Sequence, residues 1–444
     1  VWRANTYPGA ACDVPSHLYS FSFAPGHHWT RRYAPQPEIL AYLEEITDRY
    51  AIRPHLQLGT EVAEARFDSQ AGRWTVRTAD GTEHSFDLLV SAVGQLTRPA
   101  VPEVPGAEDF RGPLFHSAEW DHDVELAGRR VAVIGTGASA IQFIPAIAEE
   151  VEHLSIYQRS APWILPKSDR AYPEWERRLF ERVPARVAAS RLGLFGFFEV
   201  ATYAFTGQDW VMRPLAKLAD SYRARELPDP ELRARATPDY AMGCKRVLFT
   251  NDWYSTLRRP NVELLDGAVE RITAGGVVGA DGVEREADVV IWGTGFQTHN
   301  FVAPMAIHGL DGRELNEVWA GAPSAYLGTT VSGFPNMFVL YGPNTNHGSG
   351  SVPYTLECQF SYVLDAIRRK RQANLRWLDL RPERQAEWDR EIAARSVGTV
   401  WTEGGCSSWY LTDSGQNTNN WPGPWLEFRR RTRRINPADY RASA

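Results

Sequence analysis

The chain has 444 residues, of which 43% are hydrophobic and 23% charged, and its formal net charge is −6 at pH 7. This length exceeds what one hydrophobic core usually supports and predicts two or three domains, while the composition is that of a folded globular protein. The negative net charge gives no support for nucleic-acid binding, and we interpret the basic run at 429–434 as a solvated surface.

The first third of the chain contains strand, turn and helix signals. Residues 61–80 alternate in polarity around Ala71-Gly72 and predict a β-hairpin. Residues 84–94 and 129–134 are apolar and rich in β-branched side chains, and each run predicts a buried strand that leads into a glycine-containing turn. Apolar residues at helical spacing between Ile141 and Ile147 predict a helix after the second strand.

The later part of the chain repeats some of this pattern. Residues 170–240 have helical periodicity and predict a helical insertion, whereas residues 268–283 predict a second hairpin and residues 286–295 a third buried strand. Two hairpins that each lead to a strand ending in glycine indicate two related nucleotide-binding halves. Strands that alternate with helices predict an α/β fold with a largely parallel sheet.

Cysteine spacing and apolar segments bear on the compartment. No signal peptide is visible, and the most apolar stretch, 187–205, contains Arg191 and Glu199, so we interpret it as a buried or amphipathic helix and expect no membrane span. No two cysteines have CxxC spacing, so we expect neither a metal site nor a redox disulfide, and we predict a reducing, cytoplasmic location. The four cysteines are Cys12, Cys244, Cys358 and Cys406.

A dinucleotide-binding fingerprint follows the strand predicted at 129–134. Residues 135–140 read Gly-Thr-Gly-Ala-Ser-Ala, a GxGxxA motif between a strand and a helix. Gly135 permits a tight turn, Gly137 lets the backbone approach a pyrophosphate, and Ala140 keeps helix and strand close. The alternative is a turn that serves packing only. We predict a nucleotide site formed by Gly135, Thr136, Gly137, Ala138, Ser139, Ala140 and Ile141.

The end of the following strand indicates which nucleotide binds. Residues 155–160 read Ser-Ile-Tyr-Gln-Arg-Ser and contain no acidic side chain. An enzyme that uses NAD usually has a carboxylate there for the ribose hydroxyl, whereas the guanidinium of Arg159 suits a 2′-phosphate. We therefore predict NADPH as the cofactor, bound by Arg159 and Ser160, with an ordinary surface arginine as the alternative.

A second motif precedes this fingerprint. Residues 110–121 read Phe-Arg-Gly-Pro-Leu-Phe-His-Ser-Ala-Glu-Trp-Asp. The pattern resembles the FxGxxxHxxxW(P/D) fingerprint of type I Baeyer–Villiger monooxygenases, within the flavin-containing monooxygenase superfamily. In that family the motif is a linker that couples domain motion to turnover. We accordingly interpret His116 as a hydrogen-bonded interdomain residue and not as a catalytic base.

Other segments carry the same resemblance along nearly the whole chain. Residues 1–14 are similar to the family's segment beside the flavin ring, and residues 33–38 to its next helix start. Residues 243–246 resemble the loop with the active-site arginine, residues 334–346 the strand and turn that lead to the flavin, and Ser408-Trp409 a C-terminal loop that closes over NADP.

The resemblance implies two Rossmann-like dinucleotide-binding domains, for FAD and for NADP, with a helical insertion. Members of the family have a GxGxxG motif for the FAD pyrophosphate upstream of the segment that contains Trp2, and this sequence lacks it. We therefore expect this chain to hold FAD less tightly than a chain with that motif. The expected divisions are the FAD domain at 1–124 and, with the C-terminal loop, 286–444, the NADP domain at 125–169 and 241–285, and the insertion at 170–240.

The resemblance also implies a reaction. NADPH reduces FAD, the reduced flavin and O₂ give a C4a-peroxyflavin, and this intermediate attacks a ketone to yield an ester or lactone. The protein must stabilise negative charge on oxygen without protonating it, which a permanently charged guanidinium can do. We predict Arg246 as this catalytic cation and Asp13 as its orienting partner, with a surface pairing to an acid such as Asp252 as the alternative for Arg246.

The same resemblance implies further cofactor contacts. Lys245 is expected to face away from Arg246, toward the NADP 2′-phosphate, with a merely solvated Lys245 as the alternative. Trp409 is expected to close over NADP, and Arg246 is counted among the cofactor-binding residues as well as the catalytic ones. The expected FAD contacts include three residues, Trp2, Val62 and Val352, for which ordinary core packing is the alternative. The full FAD set is Trp2, Ala11, Cys12, Asp13, Tyr19, Val62 and Val352.

Two other functions stay open at this point. An N- or S-oxygenating flavin monooxygenase shares both cofactors, although Trp120 and Arg246 argue against it. A catalytically silent NADP-binding protein is the alternative from another class. A flavin disulfide reductase is disfavoured because no CxxC pair is present.

Overall fold

The computed structural model describes residues 1–26, 28–207 and 209–443, and for Asp209 the backbone only. The helices of the described residues are α1 Gln36–Arg49, α2 Ala140–Ile147, α3 Glu174–Arg182, α4 Pro184–Phe205, α5 Asp209–Glu226, α6 Pro230–Arg235, α7 Trp253–Leu257, α8 Leu315–Trp319, α9 Val352–Gln372, α10 Pro382–Ser396, α11 Val400–Glu403 and α12 Trp425–Thr432.

The strands of the described residues are β1 Val62–Asp68, β2 Arg73–Thr78, β3 Glu83–Phe86, β4 Leu89–Ser91, β5 Leu114–His116, β6 Arg130–Ile134, β7 His153–Gln158, β8 Ile164–Leu165, β9 Leu248–Phe249, β10 Val262–Asp266, β11 Arg271–Thr273, β12 Gly276–Val278, β13 Glu284–Glu286, β14 Val289–Trp292, β15 Ala306–His308, β16 Met337–Val339, β17 Trp377–Leu380 and β18 Tyr440–Ser443.

A five-stranded parallel sheet carries the GxGxxA turn. Its strand order is β10-β7-β6-β14-β5, and every neighbouring pair is parallel. Parallel strands covered on both faces need continuous apolar runs, and Val133, Ile156 and Ile291 are fully buried in this sheet. The strands predicted at 129–134 and 286–295 and the helix that begins near Ile141 are therefore confirmed as β6, β14 and α2.

This sheet crosses two of the expected domain divisions. We assigned residues up to 124 and from 286 onward to the FAD domain, which would place β5 and β14 outside the sheet with the GxGxxA turn. In the structure β14 pairs with β6 on one side and with β5 on the other. Backbone pairing thus extends the sheet beyond the segment boundaries that we drew from the motifs.

Both predicted hairpins are present, but one predicted strand is divided. The segments 61–80 and 268–283 form the antiparallel pairs β1–β2 and β11–β12. The run 84–94 is not one buried strand, because β3 continues the antiparallel sheet beside β2 whereas β4 pairs in parallel with β16. Val90 in β4 is 42% exposed, since β4 has only β16 as a strand neighbour among the described residues, and Val93, beyond the end of β4, is 43% exposed.

The helical insertion consists of α3, α4, α5 and α6, as its periodicity predicts. The apolar stretch 187–205 lies within α4, where Phe198 is buried whereas Leu192 and Phe197 are 72% and 63% exposed. In the part of the chain that the structure describes, no helix is both long and apolar enough to cross a bilayer.

Candidate active site

The N-terminal segment docks directly on the helix that follows the GxGxxA turn. Gln142 of α2 accepts hydrogen bonds from Tyr7 Oη at 3.1 Å and from the Ala11 amide at 3.3 Å, and it donates to the Ala11 carbonyl at 2.9 Å. The side-chain amide of Gln142 thus bonds both the N–H and the C=O of Ala11, and this fixes the position of the N-terminal segment. The residues expected beside the flavin are therefore held against the nucleotide-binding helix.

An ion pair joins this segment to the loop at 243–246. Arg246 donates from Nε and Nη2 to the same oxygen of Asp13, Oδ2, at 3.1 and 2.6 Å. The side chains are 35% and 22% exposed, so the pair is partly buried and only partly screened by solvent. Of the five guanidinium donors, three have no partner among the described residues and are available to a ligand.

Each partner of this pair holds the other in its charged form. Burial acts to raise the pKa of Asp13, but the charge and hydrogen bonds of Arg246 outweigh it, and the pKa lies below its ordinary value. The pKa of Arg246 is raised, mainly by the negative charge of Asp13. The site therefore contains a fixed guanidinium charge whose orientation a carboxylate sets.

Three side chains near this pair were not anticipated from the sequence. Burial raises the pKa of Tyr341 and of Tyr410, and both rings feel the charge of Arg246. Lys167 stands 4.8 Å from the ring centroid of Tyr33 and feels the charge of Asp13, while burial lowers its pKa. Lys167 and Tyr410 lie outside the motifs, and Tyr341 lies in the segment 334–346 but was not singled out there, because each reaches the pair through folding of a distant segment.

The GxGxxA turn has the shape that a pyrophosphate needs. Gly135 has φ +110°, and a Cβ there would lie 2.5 Å from the Gly293 carbonyl oxygen, so the turn packs tightly against the end of β14. At Gly137 the nearest protein atom to an added Cβ is 4.0 Å away, which leaves the backbone open to a ligand. These observations fit a dinucleotide phosphate at the start of α2. Ala138 is exposed, Ser139 is partly buried, and Thr136, Ala140 and Ile141 are buried.

Positive side chains gather at the end of β7. Lys245 Nζ lies 2.5 Å from Ser160 Oγ. Burial lowers the pKa of Lys245, and the nearby positive charge of Arg159, an exposed residue, lowers it further. Like charges held together in this way favour an anion between them. The arrangement fits a 2′-phosphate, and it turns Lys245 away from the Asp13–Arg246 pair toward β7.

The motif at 110–121 packs between the sheet and α2. Trp120 contacts Phe115 and Phe143, with ring centroids 5.4 and 5.3 Å apart. His116 is buried, its Nδ1 accepts a hydrogen bond from the Ala118 amide at 3.1 Å, and burial lowers its pKa. A neutral, hydrogen-bonded His116 is consistent with its interpretation as an interdomain residue and not as a catalytic base.

The residues expected beside FAD are only partly assembled in one place. Trp2 donates to Tyr19 Oη at 3.1 Å, and burial raises the pKa of Cys12 to about 12, so its thiol is unreactive. Ser351, at the start of α9, donates to the Leu18 carbonyl at 2.8 Å and thereby brings Val352 toward the same segment. Val62 instead packs in a different core, around β1 and β15.

Unpaired buried polar atoms near this segment fit a polar ring system. Gln95 lies beside Tyr341, and neither Gln95 Oε1 nor Ser91 Oγ has a hydrogen-bond partner among the described residues. Buried polar atoms without partners are rare in native proteins and commonly indicate a ligand or water. The residues present therefore fit a flavin between β4, the N-terminal segment and the start of α9.

The structure corrects the expectation about cysteines. Cys244 and Cys406 form a disulfide with a Cα–Cα distance of 6.2 Å, although 162 residues separate them in the sequence. Our rule considered only short CxxC spacing, which cannot detect a pair that the fold brings together. Cys12 and Cys358 are free and buried.

Known proteins place this chain in one family. A family model described as flavin-binding monooxygenase-like matches residues 3–191. A Baeyer–Villiger monooxygenase of Streptomyces coelicolor is 44% identical over 440 residues, covering 99% of this chain and 85% of that protein. The chain belongs to the Baeyer–Villiger monooxygenases. It is accordingly a flavin-dependent enzyme that uses FAD and NADPH.

Other relatives agree with this membership. A Baeyer–Villiger monooxygenase of Pseudomonas aeruginosa is 43% identical, covering 99% of this chain and 84% of that protein. A steroid monooxygenase bound to NADP has a TM-score of 0.88 at 30% identity, and a cyclohexanone monooxygenase from Rhodococcus sp. Phi1 bound to NADP+ has 0.87 at 28%. Each comparison covers 100% of this chain and 92% of the solved structure, so the expected two-domain α/β fold with a helical insertion is confirmed.

Proposed function

We propose that this Baeyer–Villiger monooxygenase converts ketones to esters or lactones, with Arg246 as the group that stabilises negative charge on the reacting oxygen atoms. The observation that carries the proposal is the Asp13–Arg246 pair, in which two donors are committed to Asp13 and three are left for a ligand. A guanidinium stays charged at any working pH, so it stabilises an anion without readily donating a proton to it.

The surroundings of Arg246 keep this charge effective. Asp13 orients the guanidinium, and the low pKa of that carboxyl keeps the pair ionised at neutral pH. Tyr341 and Tyr410 stay neutral there because burial raises the pKa of both, so neither adds a negative charge beside Arg246. Bound FAD would supply electron transfer from NADPH and activation of O₂, held by Trp2, Ala11, Cys12, Asp13, Tyr19 and Val352.

A separate group of residues would select NADPH. Gly135 and Gly137 would accept the pyrophosphate at the start of α2, while Arg159, Ser160 and Lys245 would contact the 2′-phosphate. The five-stranded parallel sheet is accordingly the NADP domain, with the sheets around β1 and β4 forming the FAD domain. Trp409 would close over NADP from the C-terminal segment, where the next residue, Tyr410, feels the charge of Arg246.

Ketones are the proposed substrate class. Solved neighbours include enzymes named for a steroid and for cyclohexanone, which supports an apolar carbonyl compound as substrate together with O₂. A cytoplasmic location is supported by the use of NADPH and by the two free buried cysteines, and it requires the Cys244–Cys406 disulfide to be of the transient or redox-sensing kind found in reducing compartments.

Product analysis tests the proposal. The enzyme, supplied with FAD, NADPH and air, would be incubated in parallel with cyclohexanone and with a thioether, and products would be quantified by gas chromatography. We expect lactone formation that depends on Arg246. Sulfoxide without any lactone would instead support the heteroatom-oxygenating alternative, and no NADPH-dependent product at all would support the silent NADP-binding alternative.

A further inference from the structure

The Cys244–Cys406 disulfide connects two parts of the proposed site. Cys244 stands two residues before Arg246, and Cys406 stands three residues before Trp409. A backbone hydrogen bond from the Ala241 amide to the Gly404 carbonyl, 2.9 Å long, runs beside the disulfide. The loop that carries the catalytic cation and the C-terminal segment that carries Trp409 are thus joined covalently.

The C-terminal segment reaches Arg246 through the residue after Trp409. Tyr410 is buried and lies within the electrostatic range of Arg246. It packs in a cluster with Phe205 and Trp401, and the Trp409 carbonyl accepts hydrogen bonds from Thr298 and Asn419 at 3.1 and 3.0 Å. Displacement of this segment would therefore open one side of the space around Arg246.

Residues 405–408 have few other attachments. Apart from the disulfide and the contact of Cys244 Sγ with the Cys406 carbonyl, their hydrogen bonds in the described structure stay within the segment 400–411. Gly405 and Ser407 are exposed, and Cys406 is partly exposed, whereas Cys244 is completely buried. The disulfide is the main link of this stretch to the loop at 243–246, and one of its sulfurs belongs to an accessible residue.

We propose that Cys244 and Cys406 are positioning residues whose disulfide, in addition to the contacts of Trp409 and Tyr410 with Thr298, Asn419, Phe205 and Trp401, keeps the C-terminal segment aligned with the Arg246 loop and so couples NADPH consumption to ester formation. This inference rests on the proposed role of Arg246. A disulfide in a reducing compartment is usually transient or redox-sensing, so the same link makes coupling sensitive to the thiol redox state.

The redox step balances with a dithiol as reductant. A dithiol thiolate attacks the sulfur of Cys406, the more accessible residue, and releases Cys244 as a thiol after protonation. The second thiol of the reductant then displaces Cys406 from the mixed disulfide. Two electrons and two protons pass to the protein, which gains two thiols, while the reductant becomes a disulfide.

The first test measures structure without relying on catalysis. Under denaturing alkylation and mass spectrometry, the isolated enzyme should contain two free thiols, and dithiothreitol should raise this number to four. Hydrogen–deuterium exchange of the ligand-free protein should increase in residues 404–411 on reduction and return after oxidation with diamide. Four free thiols even after diamide treatment, or unchanged exchange on reduction, would overturn the proposal.

The second test measures coupling as ester formed per NADPH consumed, with FAD and a cyclic ketone supplied. A misplaced site commonly loses rate by one to two orders of magnitude, so we expect reduction to lower coupling by roughly tenfold. Cys406→Ser should show the low coupling in both redox states, and Cys358→Ser, which removes a free buried thiol, should respond to dithiothreitol like the wild type.

The outcomes separate this inference from the proposed function. Full coupling by reduced wild-type enzyme, or by Cys406→Ser, would refute the positioning role while leaving ester formation intact. Loss of ester in the oxidised wild-type enzyme would refute the proposed function itself. The reduction of wild-type enzyme needs no substitution, so poor folding of a cysteine variant does not remove the test.

Discussion

Replacement of Arg246 by Ala tests the proposed charge stabilisation in detail. The substitution removes the three guanidinium donors that the described structure leaves for a ligand, and it leaves Asp13 without its partner at 2.6 Å. Loss of one preorganised donor typically lowers kcat by about 10²–10³-fold, or about 2.7–4 kcal/mol. Since a full charge is lost here, we expect the rate of ester formation to fall by at least about 10²-fold, the low end of that range.

The two half-reactions should respond differently. Arg246 is proposed to act on negative oxygen, which appears only after NADPH has delivered its electrons. Stopped-flow absorbance should therefore detect flavin reduction by NADPH in Arg246→Ala, with a rate that falls by less than the rate of ester formation, and the electrons should return to O₂ as hydrogen peroxide. Arg246→Lys should also fail, because an ammonium lacks the planar set of donors and can release a proton.

A matched control distinguishes this effect from general destabilisation. Arg395 is 30% exposed and pairs with Glu427 at 2.6 Å, which closely resembles the exposure and geometry of Arg246 with Asp13, but it lies in α10. Arg395→Ala should lower thermal stability without changing ester yield per NADPH. Near-normal ester yield from Arg246→Ala, or an equal loss in the control, would refute the assigned role.

Four further substitutions test the nucleotide-binding domain. Gly137→Ala should raise KM for NADPH with little change in Tm, whereas Gly135→Ala should lower Tm, because only the second added Cβ meets protein, at 2.5 Å; equal Tm values would contradict this. Arg159→Ala should weaken NADPH binding more than NADH binding in titrations, and equal losses would count against a 2′-phosphate contact. Arg130 lowers the pKa of Asp288 to about 2, so their pair stabilises the fold above the ordinary pKa of 3.8 and stops doing so as pH falls through about 2. Asp288→Asn should thus cost about 1 kcal/mol at pH 7, after allowance for solvent screening, and the difference should vanish in acid in urea titrations; a pH-independent cost would contradict this.

Local patterns predicted the strand, glycine turn and helix around residues 135–140 well because the physics of that turn is local. Gly135, Gly137 and Ala140 lie within six residues, and their conformational and packing demands act between one strand and one helix. The hairpin around Ala71-Gly72 was found for the same reason. The division of the run 84–94 into two strands was not predicted, since an apolar sequence does not indicate which neighbouring strands will cover it.

Long-range pairs had no such local signal. Asp13 and Arg246 are 233 residues apart, and only the family resemblance suggested their pairing. Cys244 and Cys406 escaped notice because spacing rules detect only neighbouring cysteines. Tyr410 and Lys167 belong to no motif, and Tyr341 lies in the segment 334–346 without being singled out there. Their proximity to the ion pair follows from sheet and loop packing that a single sequence does not reveal.

Oxygen-isotope incorporation tests the central claim most directly. The enzyme would be supplied with FAD, NADPH, cyclohexanone and ¹⁸O₂, and the product would be examined by gas chromatography with mass detection. Insertion beside the carbonyl predicts a lactone with one ¹⁸O atom in the ring, formed only when NADPH is present. NADPH oxidation with no labelled lactone, or oxygenation restricted to thioethers or amines, would contradict the assignment of this chain as a ketone-oxidising monooxygenase.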